Sequence, residues 1–176
     1  DNEYQLFHGG QVFNNAVDNG TFDGLLIYPQ TTSGTFGVSQ FDNVAELLNI
    51  MAANVKVDLN RISVNGLSEG GYGSWEFTIR HPELVASASP MSGMSTNYLS
   101  SVDNLKFTPI WLFQGGLDNA PAPYTSSLMV TAEQNAGGNF KYTLYPTLGH
   151  GTWDAAWAEP DFVPFINRAN ILTPWP

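Results

Sequence analysis

The chain has 176 residues, enough for a single domain with its own core, and 43% of them are hydrophobic, which argues against disorder. Six basic residues against 16 acidic ones leave a formal charge of −10, which counts against a polyanionic partner such as nucleic acid, because that binding depends on neutralising phosphates. The absence of cysteine excludes disulfides, a thiol nucleophile and thiolate metal sites.

Taken in chain order, Asp1 to Phe7 is too short and polar for a good buried strand, and His8-Gly9-Gly10 follows it. Gly24-Leu25-Leu26-Ile27-Tyr28-Pro29 reads as a strand. Ser39-Gln40-Phe41-Asp42 looks like a capping box with Asp in place of Glu, and Phe41, Val44, Leu48, Met51 and Val55 then fall on one helical face. Arg61-Ile62-Ser63-Val64-Asn65 predicts the next strand, and Tyr72 to Ile79 can continue as a helix that Pro82 ends. Between them lies Gly66-Leu67-Ser68-Glu69-Gly70, with Gly71 next. G-x-S-x-G between strand and helix is a nucleophile elbow, a turn sharp enough to lift a serine hydroxyl clear of the sheet. Glycine is expected at 66 and 70 because side chains there would collide where strand and helix nearly touch.

Further along, Val85-Ala86-Ser87-Ala88-Ser89 reads as a small-sided strand passing close to the elbow. Pro109 to Phe113 is an apolar strand running into Gln114-Gly115-Gly116-Leu117-Asp118. Tyr124 to Asn135 predicts a helix stopped by Gly137-Gly138. Lys141-Tyr142-Thr143-Leu144-Tyr145 alternates like a strand and leads through Pro146-Thr147-Leu148-Gly149 to His150. Asp161 to Arg168 predicts the last helix, with Pro160 at its start, and Pro174 and Pro176 read as a tail leaving the domain. Strands alternating with helices imply an α/β fold whose mostly parallel sheet is flanked by helices, in one domain over residues 1–176. Ligands of such sheets bind at the carboxyl ends of the strands, where Ser68, Asp118 and His150 all fall.

Those three residues occur in the chain order serine, acid, histidine, at separations of 50 and 32 residues. A serine hydroxyl is a poor nucleophile at neutral pH, so a neutral imidazole must take its proton during attack on a carbonyl, and a carboxylate must hold that imidazole in the right tautomer. Alternatives are weaker on position. Asp154 is too close to His150 in sequence, Asp103 has no strand ahead of it, and His81 beside Pro82 reads as a capping or surface residue. Trp153, Trp157, Trp111 and Tyr72 are aromatic candidates for a cleft; Trp153, just past His150, is the best of them, and the others read as core.

The stretches NGLSEGGYGSW, IWLFQGGLDNAPAP and YTLYPTLGHGTWDAAW resemble the α/β-hydrolase superfamily. They look most like its polyhydroxybutyrate-depolymerase-like, feruloyl and acetylxylan esterases, over about Phe22 to Phe165. The resemblance implies Ser68 as nucleophile, Asp118 as acid, His150 as base and the backbone N–H of Glu69 as one oxyanion-hole donor. It also implies a third strand between the fourth (Gly24 to Pro29) and the fifth (Arg61 to Asn65). This chain is therefore expected to be the C-terminal part of a longer domain, its sheet completed by a further segment of the same protein on the N-terminal side, a cleaved fragment or a neighbouring copy. His8-Gly9-Gly10 has two readings, an HGGG-type oxyanion loop in its own right, or a segment that follows an oxyanion loop lying before residue 1.

The expected activity is ester hydrolysis through an acyl-enzyme, on a small-molecule or polymer ester, with extracellular carbohydrate or polymer esters as the expected class. A prolyl-oligopeptidase-like peptidase and a non-catalytic binding module on the same fold are the alternatives. No cofactor is expected. Three scattered histidines without H-E-x-x-H give poor support to a metal site, and Gly70-Gly71-Tyr72-Gly73 lacks dinucleotide-binding spacing. No apolar run approaches the ~18 residues that cross a bilayer, and no signal-peptide pattern is present in the chain. Low charge with abundant Asn, Thr, Ser, Gly and aromatics leans towards a secreted bacterial protein.

Overall fold

A computed structural model of the protein describes residues 6–32 and 34–173; Asp1 to Gln5 and the Pro174 and Pro176 tail lie outside them. Four parallel strands form one sheet in the order β1 (Ser63–Leu67), β2 (Ser87–Met91), β3 (Ile110–Gly115), β4 (Phe140–Tyr145). The helices are α1 (Gly10–Asp18), α2 (Val38–Asn54), α3 (Glu69–Arg80), α4 (Val102–Leu105), α5 (Pro123–Ala136), α6 (Trp153–Trp157) and α7 (Phe162–Arg168). Among the described residues no helix is long and apolar enough to cross a membrane.

The period-two alternation of β3 builds two cores, because successive side chains leave opposite faces of a strand. Ile110 and Leu112 enter a cluster with Ala88, Phe41 and Leu48 of α2, Trp75 and Phe77 of α3, and Met129 of α5. Trp111 and Phe113 point the other way, into a cluster with Met91, Phe13 of α1, Trp157 of α6, and Phe162 and Phe165 of α7. β3 is buried along its whole length, as a central parallel strand covered on both faces must be. Each large apolar side chain removed from water there contributes about 1.5–3 kcal/mol. The arrangement holds the carboxyl ends of β1, β3 and β4 at one rim.

The strands expected at Arg61 and Val85 begin two residues later, at Ser63 and Ser87. Leu59–Arg61 forms a 3-10 turn capped by Asp58, which delays β1. β2 runs through Pro90; Ala88 and Ser92 donate to β3 on either side of it, so the proline falls where its missing N–H leaves one gap in the ladder. Helix α2 starts at Val38 rather than behind Ser39: the Gln40 side chain accepts from the Gly37 N–H at 3.0 Å, and Gly37 is the N-cap. Val55 is already past the helix end and half-exposed. Residues 24–29 are not a sheet strand. They run outside the sheet, across a groove from β1, and no strand among the described residues pairs with them. Gly137, at φ +73, ends α5 as expected.

Candidate active site

β1 ends at Leu67 and α3 begins at Glu69, so a single residue, Ser68, makes the turn. Its backbone sits at φ +54, ψ −115, a conformation that side-chain-bearing residues rarely adopt, and which persists only where surrounding contacts enforce it. Those contacts are backbone. The Ser68 N–H donates to the Met91 carbonyl at 2.9 Å, and the Ser68 carbonyl accepts from the Tyr72 N–H at 3.1 Å. The glycines around it divide differently from expectation. A Cβ on Gly66 would lie 2.3 Å from the Gly70 carbonyl oxygen, whereas one on Gly70 would meet nothing within 4 Å. Gly71 and Gly93 are the further close approaches, where a Cβ would come to 2.7 Å from the Met91 oxygen and 2.5 Å from the Ser68 oxygen respectively.

Asp118 lies three residues past β3, and its carboxylate is almost fully buried. Oδ1 accepts from the Ala120 N–H at 2.9 Å, and Oδ2 accepts from Gln114 Nε2 at 3.4 Å. Gln114 itself is fully buried and saturated: its Nε2 also donates to the Pro121 carbonyl at 3.0 Å, and its Oε1 accepts from the Ser126 hydroxyl at 2.9 Å. A buried polar group held this way at both ends gives the Asp118 loop one arrangement.

His150 lies on the loop between β4 and α6. The loops after β3 and β4 are tied together by Gly116 N–H to the Tyr145 carbonyl (2.8 Å) and Leu117 N–H to the Leu148 carbonyl (2.9 Å). This brings His150 Nδ1 to 2.8 Å from Asp118 Oδ2, and Nε2 to 2.8 Å from Ser68 Oγ. A carboxylate only accepts, so Nδ1 donates to Asp118; in the neutral ring Nε2 then carries the lone pair and accepts from the serine hydroxyl. Residues 82 apart in the chain thus meet in one relay.

Glu69 is the first residue of α3, so its N–H has no helical carbonyl to bond and points from the positive end of the helix dipole. Trp153 opens α6 beside the relay: its ring stands edge-on to His150 at 5.8 Å between centroids, and its Nε1 donates to His8 Nδ1 at 3.2 Å. Trp111 and Trp157 are core. Tyr72 is partly buried; burial first, then the nearby charges of Glu69 and Asp118, push its hydroxyl above the usual tyrosine range and keep it neutral. His81 caps α3 and pairs with Asp42 and Glu83, away from the relay, and Asp154 is largely exposed beside His8. Among the described residues no group of three or more His, Asp or Glu could hold a metal. Gln114, Ser92 and Thr152 were not picked out from the sequence; only Gln114, a lone polar residue ending an apolar run, carried a signal there.

No protein-family model and no curated protein matches the chain. Its fold is similar to solved structures. A thermostable esterase aligns at 27% identity and TM-score 0.69, over 75% of this chain and 37% of that one. A point variant of Arabidopsis thaliana SOBER1 aligns at 20% identity and 0.60, over 77% and 64%. Pyrococcus horikoshii acylaminoacyl peptidase aligns at 15% identity and 0.64, over 76% and 28%. The chain therefore spans less than two thirds of the length of each. The parallel sheet, the covering helices and these neighbours define the α/β-hydrolase fold.

Proposed function

We propose that this chain carries the catalytic residues of a serine hydrolase that cleaves carboxylic esters through an acyl-enzyme. The observation that carries the reading is the continuous relay from Ser68 Oγ through the His150 ring to Asp118, with both links at 2.8 Å. Ser68 attacks the ester carbonyl carbon as its proton passes to His150 Nε2. Asp118, which stays ionised, stabilises the imidazolium. The Glu69 N–H offers one donor to the oxyanion that forms. Collapse of the tetrahedral intermediate breaks the bond to the alcohol oxygen, which takes the proton from Nε2. Water then repeats the sequence on the acyl-serine and releases the acid. The likeness to the thermostable esterase supports an ester substrate and the likeness to the acylaminoacyl peptidase an amide one; the resemblance of the sequence motifs to feruloyl and acetylxylan esterases favours a carbohydrate or polymer ester, and the composition an extracellular setting. A fluorophosphonate probe is expected to label Ser68, and aryl acetates to turn over faster than the matching anilides. A Ser68→Ala variant that still hydrolyses aryl acetates at the parent rate overturns the proposal; faster anilide cleavage moves it to a peptidase.

The reading extends to the sheet. Between β1 and residues 24–29 lies a groove of about 800 Å³, lined by Leu26, Ile27, Phe41, Leu48, Val64 and Phe77 among others. β1, which carries the nucleophile, is only half-buried along its length, unlike β2 and β3. These features support an apolar N-terminal strand of the same protein as its occupant. Production of this chain with its upstream-encoded residues is expected to raise Tm and slow amide exchange along β1; unchanged values for both contradict the assignment.

A further inference from the structure

Ser92 follows β2 directly and is fully buried, yet it sits at φ +47, one of two described non-glycine residues with positive φ, the other being Ser68. Strain at a buried residue with a side chain persists where that side chain or its neighbours require it. The Ser92 N–H donates to the Phe113 carbonyl at 3.0 Å, fixing it to the end of β3. Its hydroxyl meets the hydroxyl of Thr152, also fully buried, at 2.7 Å.

The two flanking residues hold the elbow. Met91 accepts from the Ser68 N–H, and Gly93 packs against the Ser68 carbonyl so closely that no Cβ fits between them. On the other side, Thr152 is bound to the imidazole-bearing residue itself: its N–H donates to the His150 carbonyl at 2.9 Å, and as N-cap of α6 its own carbonyl accepts from the Ala156 N–H. The His150 side chain is 39% exposed, so packing alone does not lock the ring. A buried hydroxyl pair, 60 residues apart in sequence, is the link that spans from the segment gripping Ser68 to the segment carrying His150.

We propose that Ser92 and Thr152 are positioning residues, a buried hydroxyl clamp that sets where the His150 ring stands relative to Ser68 Oγ. The inference rests on the hydrolase reading above for its consequence in rate, but the clamp is a property of the fold and has its own readout. In either direction of donation one hydroxyl gives its proton to the other, so deleting either oxygen removes the link and leaves a buried polar atom without that partner.

The test uses Thr152→Val, which keeps the shape and removes the hydroxyl, Thr152→Ser, which restores it, and Ser92→Gly. Glycine suits the positive φ, and that relief offsets part of the cost of the orphaned Thr152 hydroxyl, so Ser92→Gly is expected to stay folded while lacking the clamp. With an aryl acetate, Thr152→Val and Ser92→Gly are expected to lose roughly 10–100-fold in kcat with KM changed less than about twofold, since a 1 Å misplacement can remove ~10²-fold. The double variant is expected to be no worse than the weaker single one, and Thr152→Ser to recover most of the rate. In parallel, proton NMR of the His150 Nδ1–H is expected to show a sharp downfield signal in wild type and Thr152→Ser, and its broadening in Thr152→Val and Ser92→Gly. Folded Thr152→Val and Ser92→Gly proteins with wild-type kcat and an unchanged His150 signal overturn the clamp. If wild type neither turns over esters nor labels at Ser68, the hydrolase reading fails, and the NMR comparison alone decides the clamp.

Discussion

Gly115, the last residue of β3, should be among the least replaceable residues outside the relay. An ideal Cβ there would stand 1.9 Å from the Gly149 carbonyl oxygen and 2.7 Å from that of Leu148, all of it backbone. Carbon and oxygen do not approach below about 3.0 Å, so in Gly115→Ala the two backbones must part by at least about 1.1 Å. His150 is the next residue. If the loop moves by that amount away from the relay, one of the two 2.8 Å contacts of the His150 ring, to Ser68 Oγ or to Asp118, lengthens to nearly 4 Å, beyond hydrogen-bond reach. The expected loss in kcat/KM is ~10²-fold or more. The crowding itself should destabilise by about 1–3 kcal/mol, which at this chain length lowers Tm by roughly 2–4 °C per kcal/mol. Gly73→Ala is the matched control, because its Cβ would make only an ordinary 3.8 Å contact with Phe41; with alanine the better helix former, it should hold or raise Tm by the equivalent of about 0.5–1 kcal/mol. The assay is aryl acetate hydrolysis alongside thermal melting. A folded Gly115→Ala protein with wild-type kcat/KM would refute the claim that this close approach sets the histidine.

Other expectations test separate parts of the account. Gly71→Ala should impair folding or lower Tm sharply while Gly70→Ala should not, as measured by soluble yield and melting, since only the former drives a Cβ into the Met91 carbonyl. Asp118→Asn should fold normally and lose about 10⁴-fold in kcat, because an amide at Oδ2 favours the wrong imidazole tautomer. Burial pushes the Glu133 carboxyl from its ordinary value near 4.3 to about 7, with Lys106 pulling the other way. A raised pKa means the folded state holds the proton more tightly, so this contribution is fully present below the unfolded value and is lost as pH rises through about 7. Glu133→Gln should remove that dependence and be more stable than wild type at pH 8 by up to about 3 kcal/mol, read as urea midpoints at pH 5 and pH 8; equal pH dependence in both proteins would contradict the assignment.

The sequence was most legible where pattern and punctuation coincide. β3 is a run of Ile, Trp, Leu and Phe followed by Gln-Gly-Gly, β4 alternates over Lys141 to Thr143, and α5 stops at a glycine, so each was placed within two residues. The relay was legible for a related reason: Ser68, Asp118 and His150 each follow a strand, and parallel strands deliver their carboxyl ends to one rim. β2 was harder, because Ser-Ala-Ser-Pro-Met is small, polar and interrupted by proline; only burial on both faces makes it a strand. Residues 24–29 are apolar enough to read as a strand, and among the described residues no strand pairs with them, so they run outside the sheet. α1 was missed altogether, since it opens on Gly-Gly and contains Asn-Asn, and its formation rests on packing Phe13 against Phe22 and Phe162 rather than on propensity. The groups that orient the relay could not be read from the chain: a hydroxyl at 92 and one at 152 look like any serine and threonine until the fold buries them together.

The central claim is covalent, that Ser68 receives the acyl group from an ester, and it is tested most directly by trapping that intermediate. The protein is mixed with p-nitrophenyl acetate, quenched in acid within the first turnover, digested and mapped by mass spectrometry. The account predicts an acetyl group on the Ser68 peptide of wild type and none in a folded His150→Ala protein. Hydrolysis without acetyl at Ser68, or acetylation of Ser68 that persists undiminished when His150 is removed, would contradict it.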